Sequence, residues 1–181
     1  MLRPRHSTRR KPAPPSREEL LRGLIHEHAD AIYRVALSVV RDPHLAEDIT
    51  QDTVIKAWRA LPTWTGEGSL KSWVLSIAHN TAVSYLRRMR EESRSPETLP
   101  DGPSGDDVER SAEGRSDLGD LAKALDNLDK LSRAVVTLRD VEAMSYAEIS
   151  EALGVSLPTV KTRRLRARRE LQRSLKQEVS T

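Results

Sequence analysis

The stretch from Ser145 to Leu175, SYAEISEALGVSLPTVKTRRLRARRELQRSL, limits what this chain can fold into more than any other. Ile149, Leu153, Val155 and Val160 fall where a short helix, a tight turn and a second helix share one small core. Gly154 sits at the turn, where a left-handed backbone carries no Cβ penalty. Ser156 is placed to cap the second helix. That helix is strongly basic: Lys161, Arg163, Arg164, Arg166, Arg168, Arg169, Arg173 and Lys176 stand against the single acid Glu170. This is the outline of a helix-turn-helix, a module that lays its second helix in a DNA groove with the N-terminal residues toward base edges.

The remaining residues point to further helices. Apolar residues make up 37% and charged residues 31% of the 181, with no Phe, which favours compact helical modules over one large core. With no Cys there is no disulfide framework, thiol nucleophile or zinc–thiolate site. The net charge of +3 hides a segregation of charge, and a basic stripe on one helix favours a polyanionic partner. No apolar run is long enough to span a membrane, and the basic N-terminus lacks the apolar segment of a secretory signal. A cytoplasmic location is expected.

Residues 1–17 carry prolines and basic residues without an acid, so a disordered tail is expected, either solvated or touching phosphates non-specifically. Residues 18–40 place Leu21, Leu24, Ile25, His28, Ile32, Val35, Ala36 and Val39 at three- and four-residue steps, one helical stripe. His26 and His28 point to different faces, so metal binding is not expected. Asp42-Pro43 starts a second helix, which Pro62 stops. Leu45, Ile49, Val54, Trp58 and Leu61 face inward there, while Asp48 and Asp52 share the opposite face, either as a solvated surface or as a docking surface for a basic partner. After the loop TWTGEG, with an exposed-looking Trp64, Ser69 caps a third helix ending near Arg90. Its basic and aromatic residues suit single-stranded nucleic acid, with bases stacking on rings while cations track the backbone; Trp73 is expected in the core. Residues 91–116 are rich in Ser, Pro, Gly and acid and read as a flexible linker. Helices over 117–128 and 131–142 are expected to support the helix-turn-helix. The resulting organisation is all-α: a basic tail (1–17), a helical domain (18–90), a flexible acidic linker (91–116), a helix-turn-helix domain (117–176) and a short tail (177–181).

Three segments in this order, AEDITQDTVIKAWRAL, GSLKSWVLSIAHNTAVSYLRR and MSYAEISEALGVSLPTVKTRRLRAR, resemble a bacterial RNA polymerase sigma factor of the extracytoplasmic-function group, sigma-70 family. The resemblance covers roughly residues 18–176. It implies a sigma region 2 domain that docks on core polymerase and recognises the minus-ten element, and a region 4 domain that reads the minus-thirty-five element. Glu47, Asp48, Gln51, Asp52 and Lys56 would contact the clamp helices of the polymerase largest subunit. Trp64, Thr65, Gly66, Ser69, Lys71, His79, Asn80, Thr81, Ser84 and Tyr85 would serve the opened minus-ten element, with Arg87, Arg88 and Arg90 on phosphates. Arg139, Ser156, Pro158, Thr159, Lys161, Thr162, Arg163, Leu165 and Arg166 would serve the minus-thirty-five element. The second domain would also dock on the polymerase flap, and an anti-sigma factor is an implied partner. Arg164 stands where the family usually has an apolar residue, which leaves the register of the recognition helix's inner face open.

No catalytic constellation, cofactor motif or metal cluster is visible, so the chemistry would belong to the polymerase. The alternative is a conventional helix-turn-helix regulator that binds operator DNA as a symmetric dimer. The segment from 42 to 90 argues against it, because a sensor module has no reason to pair an acidic docking helix with a basic aromatic one.

Overall fold

The computed structural model describes residues 16–66, 68–93, 125 and 127–178. The tail over 1–15, the linker beyond Ser93, most of the helix expected over 117–128 and residues 179–181 lie outside the described residues. Every regular element among the described residues is helical.

Each helix begins where a side chain satisfies its free N–H groups. α1 (Arg17–Val40) is capped by Ser16, and Glu19 completes a capping box by accepting from the Ser16 N–H at 2.7 Å. The Ser-x-x-Glu signature lies in the sequence at the edge of the stretch read as tail. α2 (Pro43–Ala60) starts at Asp42, whose carboxylate accepts from Leu45 N at 3.0 Å, and a 3-10 turn over Leu61–Thr63 ends it. α3 (Leu70–Glu92) is capped by Ser69. α4 (Lys130–Val136) is capped by Asp129, which accepts from the N–H groups of Leu131 and Ser132. α5 (Tyr146–Leu153) has a second capping box, between Ser145 and Glu148, and α6 (Leu157–Glu178) follows the turn at Gly154.

Gly154 has φ 63°, as a left-handed helix end requires. A Cβ there would meet nothing within 4 Å, so Gly154→Ala is penalised by backbone strain alone. We expect a loss of about 1 kcal/mol in a urea melt, without change in helix content.

α1, α2 and α3 pack against one another on Leu24, Ala31, Ile32, Val35, Ala57, Val74, Leu75 and Ala78. Ala46, Ala57, Ala78 and Ala82 are almost fully enclosed, so the helices approach closely without a large aromatic between them. Sequence periodicity suggests modules with their own cores, but here the apolar cluster continues into the second module through Val135, Leu138, Met144, Ile149, Ala152 and Val160. α5 packs on α3, and α4 on α1. Ile25, placed by periodicity in the apolar stripe of α1, is 39% exposed, and Val83 of α3 is 46% exposed. Val83 shares a face with His79 and Arg87 at four-residue steps, outside the three-helix core.

The helix expected over 131–142 is interrupted. After Val136 it widens into a π-helical turn over Thr137–Val141, and Ala143 reverses the chain with φ 60°. Glu142 N–H donates to Thr137 O at 2.9 Å, and Glu142 enters the seam between the modules.

Candidate nucleic-acid interface

α2 has two chemically distinct faces. Ala46, Ile49, Thr53 and Ala57 are buried, while Glu47, Asp48, Gln51 and Asp52 are exposed together on the other side. None of these four takes part in a helix-stabilising ion pair among the described residues. Lys56, grouped with them in sequence, instead donates to the Thr81 hydroxyl at 3.2 Å.

The loop and helix assigned to the minus-ten element divide into three sets. Trp64 is half-buried, not exposed; its ring lies 6.2 Å from that of Trp73 at 38°, and its buried indole N–H has no hydrogen-bond partner among the described residues. Thr65, Asn80, Arg87 and Arg88 are exposed, with Arg88 over the Tyr85 ring at 5.8 Å. Gly66 takes φ 80°. Ser84 and Tyr85 are half-buried. Thr81 is 3% exposed, because it shares its helical face with Ala78 and Ala82, so it is not available at the surface that sequence assigns to it. Ser69, Ser72 and Asn80 line a cleft of about 290 Å³ whose opposite wall is Glu148, Glu151 and Ala152 of α5.

His79 points away from that cleft, into an apolar groove with Val39, Val83, Leu86 and Leu131, rimmed by Arg87, Arg90 and Lys130. Burial holds its imidazole below the ordinary value of 6.5, so the neutral form is favoured in the fold. The unfolded chain then takes up a proton near that pH before the folded chain does. Stability at His79 is therefore present above pH 6.5 and falls as pH drops below it. The melting temperature is expected to decline on acidification from pH 7.5 to 5.5, with a shallower decline in His79→Gln.

The helix-turn-helix presents a consistent face. Val160 and Ala167 are buried under α6, and Leu171 packs beside them, whereas Lys161, Thr162, Leu165 and Arg166 are exposed on the other side. Arg164 falls four residues after Val160 and three before Ala167, on the inner side. Its guanidinium pairs with Asp140 and donates to the Tyr146 hydroxyl at 2.9 Å, which holds a charged side chain at this inner position. Arg163 is tied to Asp129 at 2.9 Å, which fastens α6 to the start of α4. Ser156 Oγ accepts from Thr159 N at 3.4 Å, and Pro158 is exposed in the first turn. Arg139 donates to Met144 O at 2.6 Å and lies 4.7 Å from the Tyr146 ring. Lys161 stands 5.7 Å and Arg164 6.0 Å from the same ring, so Tyr146 gathers three cations at this edge. Sequence periodicity did not single out Tyr146, Glu142 or Arg34. Among the described residues no cluster of three or more acidic or histidine side chains could hold a metal ion, and no helix is long and apolar enough to cross a membrane.

Known proteins carry the same two modules. The Sigma-70 region 2 family matches residues 24–92, and the Sigma-70, region 4 family matches residues 118–171. ECF RNA polymerase sigma factor SigE of Mycolicibacterium smegmatis is 38% identical over 163 residues, covering 88% of this chain. The chain spans 61% of the length of that relative and 41% of the length of SigG from Mycobacterium tuberculosis. RNA polymerase sigma factor YlaC of Bacillus subtilis is 32% identical over 168 residues, covering 87% of this chain and 91% of its own length. Among solved structures, the sigma factor RpoE of Bartonella quintana, in complex with the anti-sigma factor NepR, matches with a TM-score of 0.70 at 29% identity. That match covers 86% of this chain and 96% of that one. CnrH, in complex with the cytosolic domain of CnrY, matches with a TM-score of 0.63 at 25% identity, covering 88% and 89%. With two sigma regions in order along one helical chain and YlaC matched over 91% of its own length, the chain belongs to the sigma-70 family of RNA polymerase sigma factors, in its extracytoplasmic-function group.

Proposed function

We propose that the chain is the promoter-specificity subunit of a bacterial RNA polymerase: it docks on core enzyme, directs it to promoters and helps open the minus-ten element. One observation carries this reading. A single chain turns an acidic face outward on α2, without an ion pair among the described residues, and a basic face outward on a capped helix-turn-helix. The first face suits the basic clamp helices of the polymerase largest subunit, with Asp48, Gln51 and Asp52 at its centre and Glu47 beside them. The second suits duplex DNA, with Lys161, Thr162, Leu165 and Arg166 toward the major groove and Arg139 and Arg163 nearer the backbone. Trp64 and Asn80 supply a ring and hydrogen-bonding groups for bases that have left the stack, while Arg87, Arg88 and Arg90 supply charge for phosphates.

The work of such a subunit is differential binding. Unstacking a base costs a few kcal/mol, and base–aromatic stacking returns about 1–3 kcal/mol per base. The small protein therefore depends on polymerase contacts to hold the open strand. The polymerase flap is a second docking point for the region 4 module. An anti-sigma protein is a further partner, supported by the RpoE–NepR complex among its structural neighbours. Fluorescence anisotropy with labelled promoter DNA tests the proposal. The chain alone should bind weakly at moderate salt, and the same DNA should bind tightly once core polymerase is added. Tight binding by a symmetric dimer without polymerase would instead identify an operator-binding regulator.

A further inference from the structure

A carboxylate stands among the cations at the edge of the helix-turn-helix. Asp140, in the π turn, accepts from Arg164 Nε at 3.0 Å through one oxygen and at 3.2 Å through the other. Arg164 Nη2 donates to the same carboxylate, and its Nη1 donates to the Tyr146 hydroxyl at 2.9 Å. Every nitrogen of this guanidinium is therefore engaged by the turn or by α5. Arg139 and Lys161 are placed differently. Their charged ends lie 4.7 Å and 5.7 Å from the centre of the Tyr146 ring. Neither pairs with a carboxylate among the described residues. Arg139 spends only Nη1, on Met144 O at 2.6 Å, and Lys161 is exposed on the outer side of α6.

The arrangement sorts the cations by role. A guanidinium is a rigid fork, and here the fork joins a carboxylate to a phenol. An acid beside cations that face DNA works against them: it draws the nearest positive charge to itself and repels phosphates. Asp140 adjoins Arg139 in sequence, and through Arg164 it belongs to the same cluster around Tyr146 as Lys161. With Arg164 in place its charge is already answered. Arg139 and Lys161 then rest near the ring, where cation–π attraction narrows their choice of rotamers before DNA arrives. Less side-chain freedom is left to lose on binding, which favours the bound state. An apolar residue at 164, as the family usually has, would neither answer Asp140 nor hold the Tyr146 hydroxyl.

We propose that Arg164 is a positioning residue for minus-thirty-five recognition: by engaging Asp140 and the Tyr146 hydroxyl it keeps Arg139 and Lys161 beside the Tyr146 ring and available to DNA. This role rests on the sigma reading of the helix-turn-helix. Arg164 itself makes no DNA contact in it. Its inner position and its engaged nitrogens leave that to Arg139 and to the outer face of α6.

Holoenzyme reconstituted from core polymerase and the full chain tests this by fluorescence anisotropy. The probe is a promoter fragment selected from genomic DNA by the wild-type holoenzyme, beside the same fragment with its minus-thirty-five element replaced. Arg164→Leu should lower affinity for the selected fragment by about tenfold, the size of one lost base-pair preference. On the replaced fragment it should change nothing. Adding Asp140→Asn to Arg164→Leu should recover most of the loss, because the carboxylate that competes for Arg139 and Lys161 is gone. A lost packing contact, or a lost contact between Arg164 and DNA, is not recovered by a second deletion. A double variant as weak as Arg164→Leu therefore overturns the proposal, and so does wild-type affinity in Arg164→Leu. Should Arg164→Leu lower the thermal melt, Arg164→Gln takes its place. It keeps polar contact with both partners but carries no charge, and the same loss and the same recovery with Asp140→Asn are expected. Failure of the sigma reading shows separately, as a wild-type holoenzyme that selects no fragments beyond those of core polymerase alone, and the proposal falls with it.

Discussion

Reversing the charge of the α2 face, with Asp48→Lys and Asp52→Lys together, is expected to lower the affinity for core polymerase by about two to three orders of magnitude. Losing one partner of a buried interfacial charge pair costs about 2–5 kcal/mol, and reversal adds repulsion. The fold should not respond. Both aspartates are exposed, opposite Ala46, Ile49 and Thr53, and neither caps a helix or pairs with a cation among the described residues. Substitutions at such positions change stability by roughly 0.5 kcal/mol or less. Binding to core polymerase, followed by fluorescence or by co-elution, should therefore collapse while the thermal melt stays within a degree or two of wild type. The effect should also weaken as salt rises, because screening already reduces the wild-type attraction.

The second large effect concerns stability. Arg133 is 5% exposed, and its guanidinium donates to the carbonyls of Leu125 at 2.9 Å, Leu128 at 2.8 Å and Ser38 at 3.1 Å. Ser38 lies in the last turn of α1, where carbonyls have no partner within the helix. Arg133→Met keeps much of the volume but withdraws the donors. Leaving a buried acceptor unsatisfied costs about 1–3 kcal/mol, so a loss of about 3 kcal/mol or more is expected from several together. A urea titration of the full chain reads it. Arg133→Lys should recover only part, because an ammonium presents no planar fork to three separated carbonyls. An unchanged midpoint for Arg133→Met would mean that these bonds add nothing to the fold.

The contrast between the α2 aspartates and Arg133 marks what the sequence carries. The α2 face is legible because a period of 3.6 separates Ala46, Ile49, Thr53 and Ala57 from Asp48 and Asp52 without reference to any other element. The helix-turn-helix is legible for the same reason, with Gly154 and Ser156 adding local backbone signals. Caps at Ser16, Asp42, Ser69 and Ser145 are each decided within four residues. Arg133 and Glu142 are different. Both are charged residues on what looks like a soluble helix, and each has a partner far along the chain: Ser38 lies 95 positions from Arg133, and Arg34 and Lys71 lie 108 and 71 positions from Glu142. Nothing local separates a buried, paired glutamate from a solvated one. The π turn over Thr137–Val141 that delivers Glu142 has no compositional mark either. Thr81 is a milder case: its polarity suggests a surface, but its place between Ala78 and Ala82 on the packed face of α3 sends it inward. Arg164 was open in sequence for the opposite reason, since a cation stood at an inner position; its pairing with Asp140 and Tyr146 keeps it there.

The central claim is that this chain gives a polymerase its promoter. Run-off transcription from genomic fragments, using core RNA polymerase with and without the chain, tests it most directly. Discrete transcripts with defined start sites should appear only when the chain is present, and Asp48→Lys with Asp52→Lys should remove them. A transcript pattern identical to that of core enzyme alone, at chain concentrations well above those of the polymerase, would contradict the account.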